Sequence, residues 1–169
     1  MRLLKSTSVK KQPLGQTMVE FALAIPIFLV LFIGIFEIGR LVFTYNAVYS
    51  ASREAARYAA ATDKGTSGIP RYLDCSAIRA AAKNAGILAN LTDADIVITY
   101  DGGPHNMTSI GTCGAVSETA IILGDRIKVT VNATFRPAVS LGFLHDIPIV
   151  ATTYRTLIKG LDVNVDGTF

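Results

Sequence analysis

The chain has 169 residues, of which 50% are hydrophobic and 17% are charged, and this apolar balance indicates one modest domain plus a membrane segment. The formal net charge is +3, but four basic residues lie before Gly15 and no acidic residue accompanies them. The rest of the chain therefore has a net charge of −1. The folded part therefore has no basic field of the kind that binds nucleic acid, and we expect no nucleic-acid partner.

The N-terminal part predicts a basic leader, residues 1–15, followed by a membrane-spanning helix, residues 16–43. The leader holds four basic side chains, whereas residues 21–36 carry no formal charge. A helix of about 20 residues crosses the hydrocarbon core of a bilayer, and basic residues remain on its cytoplasmic side. We therefore predict a single pass with a cytoplasmic N-terminus. A cleaved secretory signal peptide starts in the same way, but its apolar core is shorter than this one.

The same helix is predicted to continue over residues 44–61, outside the membrane. No turn signal follows the span, and four alanines recur at the four-residue spacing of one helical face. Glu54 and Arg57 lie three residues apart, a spacing that allows pairing along a helix. Glu37 and Arg40 have the same spacing near the outer end of the span, where a structural pair is favoured over recognition of an assembly partner. The alanines are Ala47, Ala51, Ala55 and Ala59, and Arg53 is a further charged position on this helix.

A short motif at the start of the helix combines a glycine, a carboxylate and an aromatic ring. Gly15 is followed after four residues by Glu20 and then by Phe21, with the basic leader before them and the apolar helix after them. This G-x-x-x-x-E-[FY] motif, with the run ALAIPIFLVLFIGIFEIGRLVF and the stretch YNAVYSASREAARYAA, resembles the TadE-type pseudopilins, or minor pilins, of tight-adherence (Tad/Flp) type IV pilus systems. The resemblance is close over residues 15–61 and fainter near the C-terminus, and it covers about half of the chain.

The resemblance implies a processing step and an assembly contact. A prepilin peptidase would cut after Gly15, so that Gln16 begins the mature chain. The new α-amine has a reference pKa of about 7.7 to 8.0 and is mostly protonated, so the Glu20 carboxylate of a neighbouring subunit can neutralise it. Four residues of helix span about 6 Å, and this pairing, with Phe21 beside it, would set the axial register between subunits. The alternative is that Glu20 only reaches the lipid headgroups.

The resemblance also implies partners and a location. The partners would be the prepilin peptidase, other pilins and pseudopilins, and the inner-membrane platform that assembles the pilus. The protein would lie in the bacterial inner membrane as a single-pass protein, with its C-terminal domain in the periplasm. Whether it enters the filament or stays in the membrane is left open.

Residues 62–169 predict an extracytoplasmic α+β domain with a small antiparallel β-sheet, the general shape of pilin-like proteins. Cys75 and Cys113 both lie on the side predicted to be outside the cytoplasm, where disulfides persist. A bridge between them is the preferred prediction, and two unpaired buried cysteines are the alternative. A short helix is predicted over residues 77–85, with Asp74 or Ser76 as its cap.

Three strands are predicted in this domain, at residues 95–100, 126–135 and about 150–158, with turns and loop expected over residues 101–114. The middle strand alternates apolar and polar side chains, so one of its faces is buried and the other is wet. The alanine-rich half of the long helix is predicted to cover the buried face of the sheet. In the last strand, Val150, Tyr154 and Ile158 are expected to point inward or toward a neighbour.

The sequence gives little support for catalysis or for a cofactor. His105 and His145 both lie beside turn or loop residues, and no serine or cysteine is placed to pair with either of them. The segment DVNVDG, residues 162–167, matches the opening of a calcium loop, but the sequence ends before the glutamate required at the twelfth loop position. We therefore predict no enzyme activity, no metal site and no cofactor.

Three functions remain to be distinguished. The first is a pseudopilin trimmed after Gly15 that acts in assembly or initiation of a Tad-type pilus or secretion apparatus. The second is an uncleaved single-pass membrane protein whose outer domain binds an envelope component or an extracellular ligand. The third is a secreted hydrolase with a signal peptide, which the sequence favours least.

Overall fold

The computed structural model of the protein describes residues 14–65, 67–104, 106–138 and 145–159. In this part of the chain, two α-helices come before the four strands of one sheet in the sequence. The chain divides into two compact units, Met1–Ile38 and Gly39–Phe169. Most of the predicted leader, His105 and the DVNVDG segment lie outside the described residues.

The described residues of the first unit form the beginning of helix α1, and the whole helix spans Leu14–Ala59. Its apolar side chains are exposed, as at Phe21 (68%) and Phe32 (68%). Within the described ranges, α1 is the one helix long and apolar enough to cross a membrane. Apolar surface of this extent is typical of a membrane-spanning helix. The long apolar helix predicted from the sequence is confirmed, and it fits a single-pass membrane protein.

The second unit contains a four-stranded antiparallel sheet with strand order β2-β1-β3-β4. The two central strands are β1 and β3, and the ten residues of β3 pair along the whole length of β4. The α+β class with a small antiparallel sheet, predicted from the sequence, is confirmed. The strands are β1 (Ile96–Asp101), β2 (Ser109–Thr112), β3 (Arg126–Phe135) and β4 (Ile147–Thr156).

The second half of α1 packs on the sheet through its smallest side chains. Its predicted alanine stripe is buried, and Val48 and Ala56 are buried beside it. Small side chains let a helix backbone approach a sheet closely, so even the polar Ser52 is completely buried here. Ser52 Oγ lies 3.0 Å from Oγ1 of the half-buried Thr153 of β4, and this hydrogen bond gives the buried serine hydroxyl a partner on the sheet. The predicted covering of the sheet by this half of the helix is confirmed.

Helix α2 spans Cys75–Ala85 and begins at an aspartate cap. The Asp74 carboxylate accepts a hydrogen bond from the backbone N–H of Ala77 at 3.0 Å, which satisfies one of the free donors of the first turn. The Ser76 hydroxyl donates to the same carboxylate at 2.7 Å, so Ser76 supports the cap rather than forming it. The helix ends at Gly86, whose N–H donates to the carbonyl of Ala82.

Strand β2 corrects the prediction of a loop over residues 101–114. This strand has four residues, and Gly111 interrupts its pattern of side chains. A Cβ at Gly111 would lie 2.6 Å from Val116 Cγ2, so the glycine is required for the chain to pass this side chain. A short strand with a glycine inside it carries too little alternation to be recognised from sequence.

The orientation of β4 separates two predicted alternatives. Val150, Tyr154 and Ile158 are 61%, 46% and 48% exposed, so of the two predicted orientations, inward or toward a neighbour, the inward one is excluded. The buried positions of β4 are Ile149 and Ala151 instead. Side chains alternate along the strand, so Ile149 and Ala151 face the core while Val150 lies on the outer face.

Candidate processing and assembly site

The segment predicted for processing lies in the first turns of α1. Residues 15–20 are exposed, and a Cβ added at Gly15 would meet nothing within 4 Å. The peptide bond after Gly15 is therefore accessible from the surface of the chain. Phe21 follows Glu20 with 68% of its surface exposed.

Glu20 has a hydrogen-bond partner on its own helix. The Gln16 side-chain Nε2 donates to Glu20 Oε1 at 3.0 Å, across one turn of α1. This bond links the residue that would begin the mature chain to the predicted register residue. A carboxylate has further acceptor sites beyond this one bond, so Glu20 retains the capacity to accept a second donor.

Glu37 and Arg40 occupy different surroundings, and the structure gives each of them an interaction. Glu37 is 6% exposed in the first unit. In the second unit, the Arg40 guanidinium carbon lies 5.3 Å from the centre of the Phe135 ring, at the end of β3. The pairing of Glu37 with Arg40 stays a prediction.

The three charged residues farther along α1 separate into two groups. Arg57 donates two hydrogen bonds to the Glu54 carboxylate, at 2.6 and 2.9 Å, and these bonds hold the pKa of Glu54 below its usual range. The pair is exposed, and exposed pairs add little stability. Arg53 lies over the ring of Tyr49 at 4.6 Å, and Tyr49 stacks on Tyr45 at 6.0 Å between ring centres.

Cys75 and Cys113 form a disulfide bond with a Cα–Cα distance of 5.8 Å. The bond ties the first residue of α2 to the residue that follows β2. The Tyr100 hydroxyl donates to the Tyr72 carbonyl and lies 3.1 Å from Cys113 Sγ. Burial raises the pKa of Tyr100, because ionisation would leave a phenolate among apolar groups.

A charged cluster that was not predicted from the sequence lies on the outer face of the sheet. Arg126 Nε donates to Asp101 Oδ1 at 2.7 Å, and the guanidinium also lies 5.0 Å from the centre of the Tyr154 ring. Lys128 Nζ approaches the same ring at 5.7 Å. These side chains border an open cavity of about 540 Å³. The cluster forms because Asp101 and Arg126 are paired across β1 and β3. This pairing depends on the order of the strands, which could not be predicted from the sequence.

Within the described ranges, no group of three histidine, cysteine, aspartate or glutamate side chains converges as metal ligands do. His145 is described, whereas His105 and the segment at residues 162–167 fall outside those ranges. At the start of α1 the described residues offer an exposed peptide bond, an exposed carboxylate one turn away from it, and apolar surface on one long helix.

The family model described as "TadE-like protein" matches residues 15–57 of the chain. The match covers about a quarter of the sequence and includes Gly15, Glu20 and the charged positions of α1. No curated protein and no solved structure matches the chain at a significant level. The resemblance predicted from the sequence is thereby confirmed over this segment.

Proposed function

We propose that this chain, a TadE-like protein by the match over residues 15–57, is a minor pilin that a prepilin peptidase trims after Gly15. The trimmed protein acts in assembly or initiation of a Tad-type pilus or secretion apparatus. The observation that carries this proposal is the exposed start of α1, where Gly15, Gln16 and Glu20 lie within two turns of an apolar helix.

Exposure of Gly15 supports the processing step. A peptidase must bring catalytic groups against both faces of the scissile bond, and a side chain at Gly15 would add bulk where the structure has open space. Cleavage would turn the backbone nitrogen of Gln16 into an ammonium group. The family match begins at Gly15, which agrees with this position.

The hydrogen bond between Gln16 and Glu20 supports the assembly step. An amide donor at 3.0 Å satisfies one carboxylate oxygen of Glu20 in the isolated chain. An ammonium donor from a neighbouring subunit would form a charge-assisted bond, which is roughly twice as strong as a bond between neutral groups. The neighbour's ammonium therefore competes favourably for Glu20, and the helices stack with a shift of about 6 Å.

The distribution of basic residues supports the orientation and the domain organisation. We place the leader, residues 1–15, in the cytoplasm and residues 16–43 in the inner membrane, because basic residues stay inside. Residues 44–61 then form the periplasmic extension, which α1 occupies as far as Ala59, and residues 62–169 form the periplasmic domain. Partners are the prepilin peptidase, other pilins and pseudopilins, and the assembly platform in the same membrane.

Mass analysis of the N-terminus tests the proposal directly. The protein is purified from the membranes of its own host and its intact mass and N-terminal peptide are measured. We expect a mature chain that begins at Gln16. A chain that still begins at Met1 would exclude processing, and a cut beyond the apolar helix would indicate a secreted protein.

A second candidate function rests on the outer face of the sheet. The cavity beside Asp101, Arg126 and Lys128 combines charged groups with the Tyr154 ring, and such a surface suits an anionic or sugar-like envelope ligand. An uncleaved single-pass protein could present this cavity outside the membrane. An intact Met1 in the mass analysis would favour this function over the first.

A further inference from the structure

An apolar groove of about 490 Å³ lies between α1 and the beginning of β4 in the second unit. One wall consists of Leu41, Val42 and Tyr45 of α1, and the other consists of residues 147–150 of β4. Every side chain of these walls is apolar or aromatic. Val42, Tyr45 and Val150 are 51%, 52% and 61% exposed, so the groove offers apolar surface that is left uncovered within the described chain.

We propose that lipid at the periplasmic surface of the bilayer fills this groove. The proposal rests on the membrane insertion that is part of the proposed function. Its first support is continuity along one helix, because Leu41 and Val42 belong to the apolar stretch of α1 predicted to span the membrane, residues 16–43. The groove therefore begins where α1 leaves the hydrocarbon core.

The backbone of β4 gives the second support. β4 is an edge strand, and an edge strand commonly accepts another strand through its unpaired backbone groups. Pro148 lies in the groove wall and has no N–H to donate, so a strand added along this part of β4 would lack a hydrogen bond. Hydrocarbon needs no hydrogen bonds, and it fits a proline-blocked apolar edge better than a strand does.

Tyr45 gives the third support. Its ring stacks on Tyr49 one turn farther along α1, and both rings are partly exposed. Tyrosine is enriched at the boundary between hydrocarbon and headgroups, where the ring contacts lipid and the hydroxyl contacts water. The pair marks the level at which the groove leaves the bilayer. Lipid in the groove would bind the start of β4 as well as α1, and it would thereby fix one rotational orientation of the domain against the membrane.

Tryptophan fluorescence in nanodiscs tests the proposal, because the chain contains no tryptophan of its own. Single substitutions Val150→Trp and Val42→Trp place a reporter on each wall of the groove in the full chain. Thr156→Trp is the matched control, since Thr156 is an exposed residue of the same strand on the same face as Val150, six residues away, or about 20 Å. Phe32→Trp reports insertion of the span. Each variant is reconstituted with ordinary lipid and with lipid brominated along its acyl chains.

We expect brominated lipid to quench the Val150→Trp, Val42→Trp and Phe32→Trp emission at least twofold and to leave Thr156→Trp unchanged. Quenching of Phe32→Trp without quenching of Val150→Trp would overturn the inference and leave membrane insertion intact, whether or not Val42→Trp, which belongs to the predicted span, is quenched. In that case a short-wavelength emission would assign the groove to a second protein surface, and a long-wavelength emission would assign it to water. Equal quenching of Thr156→Trp would also overturn it, since the contact would not be specific to the groove. Absence of quenching at Phe32→Trp would refute the membrane insertion and the inference together.

Discussion

Arg126 and Asp101 face each other as paired residues of β3 and β1, and their side chains are joined by a bond of 2.7 Å on the outer face of the sheet. Only 15% of the Arg126 side chain and 13% of the Asp101 side chain are exposed. The Asp101 carboxylate also accepts from the N–H of Gly103, so one oxygen holds two strands and the turn after β1 together. Loss of one partner leaves the other charge poorly solvated.

Arg126→Met should therefore destabilise the domain. The variant keeps an aliphatic side chain over Tyr154 but leaves Asp101 without its cation, and we expect the free energy of unfolding to fall by about 2 kcal/mol. Thermal unfolding of the full chain in detergent, followed by near-ultraviolet circular dichroism, measures the change. Arg57→Met is the control, because its exposed pair with Glu54 should contribute almost nothing. Equal unfolding midpoints for the two variants would refute this role of Arg126.

Removal of the disulfide should have a larger effect. The bridge closes a loop between residues separated by 38 positions, and the chain-entropy model assigns about 4 kcal/mol to a loop of this length. Cys75→Ala with Cys113→Ala should lower the midpoint of thermal unfolding accordingly. Reductant should lower the midpoint of the natural protein and leave the double variant unchanged. A natural protein that unfolds at the same temperature with and without reductant would contradict the prediction.

Stability should fall in acid because of the Asp74 cap. Hydrogen bonds from Ser67, Ala77 and Ser76 favour the ionised form and hold the pKa of Asp74 below its usual value. A carboxyl whose pKa is lower in the folded state stabilises the fold above its unfolded pKa of about 3.9, and this contribution is lost as the pH falls through the folded pKa. Asp74→Asn keeps a good helix cap without a titrating group.

Unfolding midpoints measured from neutral pH down to about pH 3 test this expectation. The difference between the natural protein and Asp74→Asn should be greatest near neutral pH and should shrink as the acid protonates Asp74. Hydrogen bonds from Thr92 also lower the pKa of Asp95, but Asp95 is present in both proteins. Its contribution to the loss of stability in acid therefore cancels from the difference. A constant difference across the whole range would show that the Asp74 charge does not contribute.

Gly15→Leu should block trimming of the leader. A leucine would fill the open space beside the scissile bond, and the protein should accumulate at its full length in host membranes. Gly34→Leu is the matched control, because Gly34 is also a glycine of α1 with nothing near its missing Cβ. Immunoblots or intact masses of both variants give the measurement. Normal trimming of Gly15→Leu would count against the assigned cut.

Glu20→Gln should be trimmed normally and should assemble poorly. The substitution preserves shape and hydrogen bonding but removes the charge that attracts a neighbour's new ammonium group. Pilus yield and mature mass are measured in the same cells, with Glu54→Gln as the control for loss of an exposed carboxylate on the same helix. Pilus formation at the natural level by Glu20→Gln would refute the proposed role of Glu20 in setting the axial register between subunits.

The strongest sequence patterns predicted the fold well. The strict alternation of apolar and polar residues in β3 predicted its bounds, Arg126–Phe135, and the alanine spacing predicted the covered face of α1. β2 escaped prediction because of its length and its glycine. In β4 apolar side chains lie on both faces, so hydrophobicity alone left the inward face undecided. The face that α1 covers, marked by the contact of Ser52 with Thr153, is a tertiary property.

The contacts of the candidate site residues were also predicted from the sequence only where the partners are close along the chain. Residues whose partners lie within one or two turns of α1, such as Glu54 with Arg57, were paired correctly by spacing alone. Arg53 was grouped with them, yet it lies on Tyr49, because ring contacts compete with carboxylates for an arginine. The Asp101 and Arg126 pair joins residues 25 positions apart, and only the order of strands brings them together.

The completely buried alanines of α1, among them Ala51, Ala55 and Ala59, restrict how this protein can diverge. Any larger residue at these positions would push the helix off the sheet, so the tolerated changes lie on the opposite side of the helix. That outward side can vary in charge and shape without loss of the fold. Chains that share this scaffold can thus present different outward surfaces to their surroundings.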